Sequence, residues 1–244
     1  MKSFVLLKTI SIVAFLILAQ HTKAQTQEAN TGKAPEYAKA LDLGLPSGTK
    51  WANMNIGANS EEEYGLYFAW GEIVGYEGVG ANQNLNDDRQ FKWDFYKWCN
   101  DPKPFFTKYC TLPKYGTADD KTVLDKEDDA ANANWGDPWR MPTKEEAQEL
   151  LENTTLVEVK EFPSGQKVFH LVSKINGQSI LLPVGGMRNY GQHQMLNTFV
   201  RYWTSSIDKK RPFAAYTIGG HVILKPKIEV IGRFMGQNIR AVTK

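Results

Sequence analysis

Few residues in this chain are of a type and spacing that could do chemistry. Asp125-Lys126-Glu127-Asp128-Asp129 puts four carboxylates into five positions, enough to raise a calcium site. The alternating oxygen ligands, central glycine and terminal Glu of an EF-hand loop are absent, and acids in a first helical turn complement the helix dipole without any ion. Glu145, Glu146 and Glu149 are acids on one helix, yet spacing alone does not make a general acid and base, and a solvated helix face accounts for them. Of the four histidines, His21 lies in the leader, His170 sits within a strand pattern, and His193 and His221 fall in or beside loops. His-Glu-x-x-His, Gly-x-Ser-x-Gly and Gly-Lys-Ser/Thr phosphate-loop motifs are missing. A dispersed Ser, His and Asp set converges in space, not along the chain, so it leaves no trace to read. The expectation is a protein that is not an enzyme, with no cofactor and no metal.

The element that must position everything else is Trp135 to Leu151. Thr143-Lys-Glu-Glu is a capping box, so a helix begins at Lys144. Ala147, Leu150 and Leu151 form its apolar stripe, with Trp135, Trp139 and Met141 as the expected cover and Arg140 free to tie neighbouring carbonyls or carboxylates. A shorter helix is predicted with Asp125 as N-cap, and Ser60 to Glu63 could form one helical turn. Leu41 to Trp51 reads as a hairpin turning at Pro46-Ser47-Gly48, and Leu66, Phe68 and Trp70 read as a strand. The second half is strand-rich: Val157 to Glu161, Val168 to Val172, an Asn176-Gly177 hairpin turn, Ile180 to Val184, then Arg201 to Ser205, Phe213 to Ile218, Val222 to Ile231 and Ile239 to Val242. Gly185 to His193 reads as a loop.

Met1 to Ala24 has the charged start, apolar core and small-residue cleavage site of a secretory signal, followed by a polar arm over 25–40 and one domain over 41–244. The apolar run is about half of the ~20 residues a spanning helix needs, so no transmembrane segment is expected in the mature chain. The leader holds three of the 29 basic residues and none of the 27 acids, leaving 26 bases against 27 acids, a net of −1. Nucleic acid is therefore not an expected partner. Cys99 and Cys110 are the only cysteines. In a secreted chain they are expected to pair, a reduced pair or a reactive thiol being the alternatives. They lie in a loop-rich insertion at about 72–120, dense in Phe91, Trp93, Phe95, Tyr96, Trp98, Phe105, Phe106 and Tyr109. These aromatics either stack on sugars and partners or form a satellite core beneath the loop.

Leu41 to Gly48, Lys50 to Gly57, Tyr64 to Glu72, Leu124 to Ala131, Trp135 to Leu151 and Tyr202 to Ser206 together resemble the Fibrobacter-type major paralogous domain. More distantly, Arg140 to Ala147 resembles formylglycine-generating-enzyme-like proteins. Both resemblances imply an α+β, C-type-lectin-like fold: two helices packed on a twisted antiparallel sheet with long loops. Formylglycine chemistry depends on cysteines in the C-terminal part of that fold, and none follows Cys110, so the resemblance does not carry that activity over. It does imply that ligands meet the long-loop region, which maps to Arg188, Asn189, Tyr190 and His193, with Lys209, Lys210 and Arg211 as a neighbouring loop. Glu-Pro-Asn and Trp-Asn-Asp calcium-sugar triplets are absent. The expected function is a secreted, extracellular, cell-surface or periplasmic binding or adhesion module for a glycan or a surface protein. The rivals are an enzyme on a formylglycine-generator-like scaffold with other catalytic residues, and a structural assembly subunit.

Overall fold

Thr143 starts a helix as the capping box requires. Its Oγ1 accepts the Glu146 amide at 3.2 Å while Glu146 Oε2 accepts the Thr143 amide at 2.9 Å, and helix α2 runs Lys144–Asn153. The computed structural model describes residues 32–78, 90–100 and 105–244. The leader, the arm before Gly32 and parts of the aromatic insertion lie outside the described residues. From Ala34 the arm is seated on the domain: Ala34 N–H donates to Trp135 O, and Ala34 and Ala38 pack on a core cluster.

The architecture is α+β with antiparallel sheets. Strands β1 (Ala40–Leu41) and β2 (Lys50–Ala52) form the expected opening hairpin, and β13 (Val242–Thr243) pairs with the other edge of β2, so the two ends of the domain meet in one sheet. Two short strands, β3 (Cys99–Asn100) and β4 (Phe105–Phe106), belong to the insertion. A second sheet holds β5 (Thr154–Glu161), β6 (Lys167–Ser173) and β7 (Ser179–Pro183), joined by the Pro163-Ser164-Gly165 and Asn176-Gly177 turns. Gly185 to His193 is not wholly a loop, because β8 (Met187–Asn189) and β9 (Gln192–Gln194) close into a hairpin. The third large sheet is β10 (Phe199–Ile207), β11 (Ala214–His221) and β12 (Lys227–Gly232).

That last sheet separates two cores. Val200, Tyr202 and Ile218 face a cluster with Trp51, Phe169, Leu171, Leu182, Ala147 and Leu150, while Trp203, Ile207 and Ala215 face a cluster with Phe68, Trp70, Trp135, Trp139 and Met141. Period-two alternation puts neighbouring strand residues on opposite faces, and here both faces carry buried apolar side chains. It follows that Trp135, Trp139 and Met141 do not cover the stripe of α2, as the sequence reading expected. They belong to the other core, and Phe169, Leu171 and β10 to β12 receive Ala147 and Leu150.

The shorter helix also starts later than expected. Asp125 precedes a 3₁₀ turn, Lys126–Asp128, without capping it by its side chain. Asp129 caps α1 (Ala130–Trp135), accepting the amides of Ala131 and Asn132. Ser60 to Glu63 forms bends, not a helical turn, and Glu63 accepts the Asn59 amide. Leu66 to Trp70 is extended, but it is held by single bridges from Tyr67 to Tyr76 and from Phe68 to Gln237, not by a ladder. Every residue of that run is buried, which explains its continuous apolar character.

Candidate functional site: an aromatic pocket around Glu72

The residues expected to bind ligand divide into inward and outward groups. Arg188 is 1% exposed and donates from Nη1 to Glu77 O and Gln90 Oε1, with its guanidinium 4.9 Å from the Phe91 ring centre. His193 is 5% exposed, its Nε2 lying 2.7 Å from Gly185 O and its ring edge-on to Tyr67. Asn189 is half-buried. Only Tyr190, 53% exposed, presents its side chain to solvent, resting edge-on against Phe234. Lys209, Lys210 and Arg211 are exposed on a separate turn that Asp208 organises: its carboxylate accepts the Lys210 amide and Arg211 Nε, and Lys209 O accepts Thr111 Oγ1. Arg188 and His193, expected as ligand contacts, are thus buried and make these contacts within the fold.

Beside Arg188 lies a pocket. Arg188 and the Tyr190 amide, which donates to Phe91 O at 3.2 Å, hold Phe91 in a left-handed backbone conformation, φ 56°. Its ring lies on Gly236, where an added Cβ would stand 2.6 Å from ring carbons. Phe91, Tyr96 and Phe234 are buried, while Tyr76, Phe95 and Lys92 form the more accessible part of the lining; with Glu72 these residues enclose about 230 Å³. Phe95, on the 3₁₀ turn Trp93–Phe95, is 53% exposed.

Three consecutive residues of the insertion fix the turn that carries Glu72. Tyr96 OH donates to Trp70 O at 2.5 Å, the Lys97 amide donates to Glu72 Oε1 at 2.9 Å, and Trp98 Nε1 donates to Gly71 O at 3.0 Å. Gly71 has φ 76°, and a Cβ there would meet the Trp98 indole at 2.9 Å, so glycine is required. Burial raises the Glu72 carboxyl above its ordinary range, opposed by the Lys97 amide and, more weakly, the Lys97 charge. Oε2 of Glu72 takes no hydrogen bond from a described residue.

Two larger cavities spend most of their polar side-chain groups within the fold. One of about 340 Å³ lies between Pro35, Tyr37 and Trp135, where Asn134 Nδ2 is spent on the Ile73 and Ala130 carbonyls and Asn59 is held by Tyr37 and Glu63. Another of about 330 Å³ lies over Trp139 and Met141, where Asp129 accepts three amides, Arg140 grips Glu146 and Lys126 pairs with Asp137. The acidic run raised as a calcium site is likewise occupied by protein cations. Lys108 Nζ sits 2.7 Å from Asp125, 3.4 Å from Glu127 and 2.6 Å from Asp128, while Lys121 reaches Asp125 and Lys97 reaches Asp128. These contacts hold the Asp125 carboxyl below its ordinary range. For Asp128, burial works upward but the lysines and Tyr109 OH prevail, and it too is depressed. A divalent ion would have to displace an ammonium already placed there.

The structure contains no disulfide between Cys99 and Cys110, contrary to the sequence expectation. Cys110 turns its thiol to Leu112 O at 3.2 Å, and Asp119 pins its backbone by accepting the Tyr109 and Cys110 amides. The β3–β4 pairing and Trp98 O, which accepts the Thr107 amide, close the segment between the cysteines instead.

Most of the aromatic insertion is the satellite core that the sequence reading held open: Phe91, Tyr96, Phe106 and Cys110 are buried with Tyr67 and Phe234. The pocket is its accessible margin. Glu72 was missed as a site residue because an acid after glycine reads as a surface turn; the signal that points to it is the fully apolar run before it. No family model, curated protein or solved structure matches this chain.

Proposed function

We propose that the chain is a secreted or cell-surface binding module, non-catalytic, whose ligand is a glycan met at the aromatic face running from Tyr190 over Phe234 to Phe95. The observation that carries this reading is the Glu72 pocket: aromatic walls, one carboxylate with an unspent oxygen, and a supporting turn fixed by three hydrogen bonds. Rigid aromatics offer large contact area at small entropic cost, and a few placed polar groups give orientation. Phe95 and Tyr190 are each 53% exposed, so both ends of that face are open to a ligand.

A C-type-lectin-like arrangement is part of the same proposal. It is supported by the pairing of β1, β2 and β13, which unites the domain's ends, and by helices packed beside antiparallel sheets. The formylglycine-generator-like enzyme and the assembly subunit gain no comparable observation.

The test is a broad glycan array probed with the purified protein in calcium buffer and again in EDTA. Selective binding that survives EDTA and is lost in Phe95→Ala, with an unchanged melting temperature, is the expected result. Silence across the array would overturn the glycan reading, and loss in EDTA would overturn the metal-free site.

A further inference from the structure

Resting on that reading, we infer that the Glu72 pocket binds a single uncharged pyranose, stacked by its apolar face on Phe95 and oriented by hydroxyls that donate to Glu72 Oε2. At about 230 Å³ the pocket is smaller than the ~300–1,000 Å³ of drug-sized sites, which suits one sugar ring and not an oligosaccharide. Longer glycans would enter by one residue and continue outward over Tyr190.

Charge selects the ligand class. Among the described residues, the lining holds one acid, Glu72, and one base, Lys92. An anionic sugar would bring a second carboxylate beside a half-buried one, and a cationic ligand drawn to the aromatic rings would meet the Lys92 ammonium. The nearby Lys97 does not alter this balance, because its Nζ is committed to Asp128 at 3.0 Å and lies over the Trp98 ring at 4.2 Å. A neutral polyol satisfies both signs: its hydroxyls donate to the carboxylate and accept from the ammonium. A site whose polar groups await hydroxyls also rejects a deoxy analogue, since the carboxylate would then be desolvated without a donor.

The fold does not depend on the unspent oxygen. Glu72→Gln keeps an acceptor for the Lys97 amide and the side-chain shape, so it isolates the charge. The experiment is saturation-transfer NMR and titration with methyl glucoside, galactoside and mannoside, and with methyl glucuronide, at pH 7. At least one neutral glycoside is expected to bind, with the strongest transfer to ring protons of one face, and the glucuronide is expected not to bind. Glu72→Gln should weaken the neutral glycoside at least about tenfold, because hydrogen bonds to a charged group exceed neutral ones by that order. Phe95→Ala should abolish binding, both variants melting as the parent does. Neutral glycosides that bind equally to all three proteins would overturn the pocket assignment and leave the glycan module standing. Preference for the glucuronide would overturn the charge argument. Absence of binding to every glycoside, together with a silent array, would remove the module reading and this inference with it.

Discussion

Replacing Glu146 by Gln separates charge from capping at the start of α2. Glu146 accepts Arg140 Nη1 at 2.7 Å and Nη2 at 2.5 Å, the Thr143 amide at 2.9 Å and Thr49 Oγ1 at 2.9 Å. Burial alone would raise its carboxyl; the guanidinium, the amide and the hydroxyl override that and hold it at about 2, against an ordinary 4.5. The Glu146 side chain is 11% exposed, so solvent screens it little. By linkage the drop corresponds to about 3 kcal/mol. Because the folded pKa is depressed, that stability is fully present above pH 4.5 and is lost as pH falls through about 2. Gln can still accept the Thr143 amide, but it removes the carboxylate that Arg140 grips with both Nη atoms. Arg140 is 35% exposed and can turn to water, which brings the expected cost of Glu146→Gln at pH 7 to about 2–3 kcal/mol. The assay is urea unfolding followed by tryptophan fluorescence from pH 7 to about 2 for both proteins. Other carboxylates held low, Asp125, Asp128 and Asp208, cancel in the difference between the two. The gap should be flat down to about pH 5 and then close steadily. A gap that stays constant to the lowest pH, or one that has closed by pH 4, would refute the assignment of the stability to an ionised, paired Glu146.

Thr143→Ala removes the acceptor for the Glu146 amide and should cost about 1 kcal/mol in urea unfolding; an unchanged midpoint would dismiss the cap. Trp139→Ala should cost roughly 3–5 kcal/mol, because Trp139 is buried edge-on to Trp135 in the larger core, whereas a near-neutral result would mean its burial is worth little. Arg233→Lys should lower stability by about 3 kcal/mol or more in the same assay, since one ammonium cannot replace the fork that serves the Tyr109, Pro212 and Lys108 carbonyls; a loss under about 1 kcal/mol would show those carbonyls to be satisfied otherwise.

Local signals were legible where a few neighbouring residues decide the outcome. The capping box of α2, the opening hairpin and the Asn176-Gly177 turn all follow from side chains within four or five positions of one another. The short helix was misplaced because any of the acids from Asp125 to Asp129 could serve as cap, and the choice fell to Asp129 through a distant partner: the Met141 amide, which donates to the same carboxylate. The cover of α2 was misassigned for a related reason. Trp139 and Met141 precede the helix closely in sequence, yet the β10–β12 sheet stands between them and its stripe.

The site was legible as composition and not as geometry, and the arginines show why. Arg188, Arg233 and Arg240 are fully buried, and each donates to backbone carbonyls from segments remote in sequence: Glu77, Tyr109 with Pro212, and Ala52 with Leu181. The resemblance maps Arg188 to a ligand-meeting loop, and residue-type rules expect arginine at the surface. Here burial is sustained because carbonyls of irregular segments need donors that no ladder supplies. That requirement turns the insertion from a loop into a support: Arg233 stacks on Phe106 and beneath Tyr96, and Tyr96 in turn fixes the turn that holds Glu72. A carboxylate held by so long a chain of contacts cannot be inferred from the residues beside it. For the same reason, weakening Arg233 should disturb the Glu72 pocket before it disturbs the β10–β12 sheet.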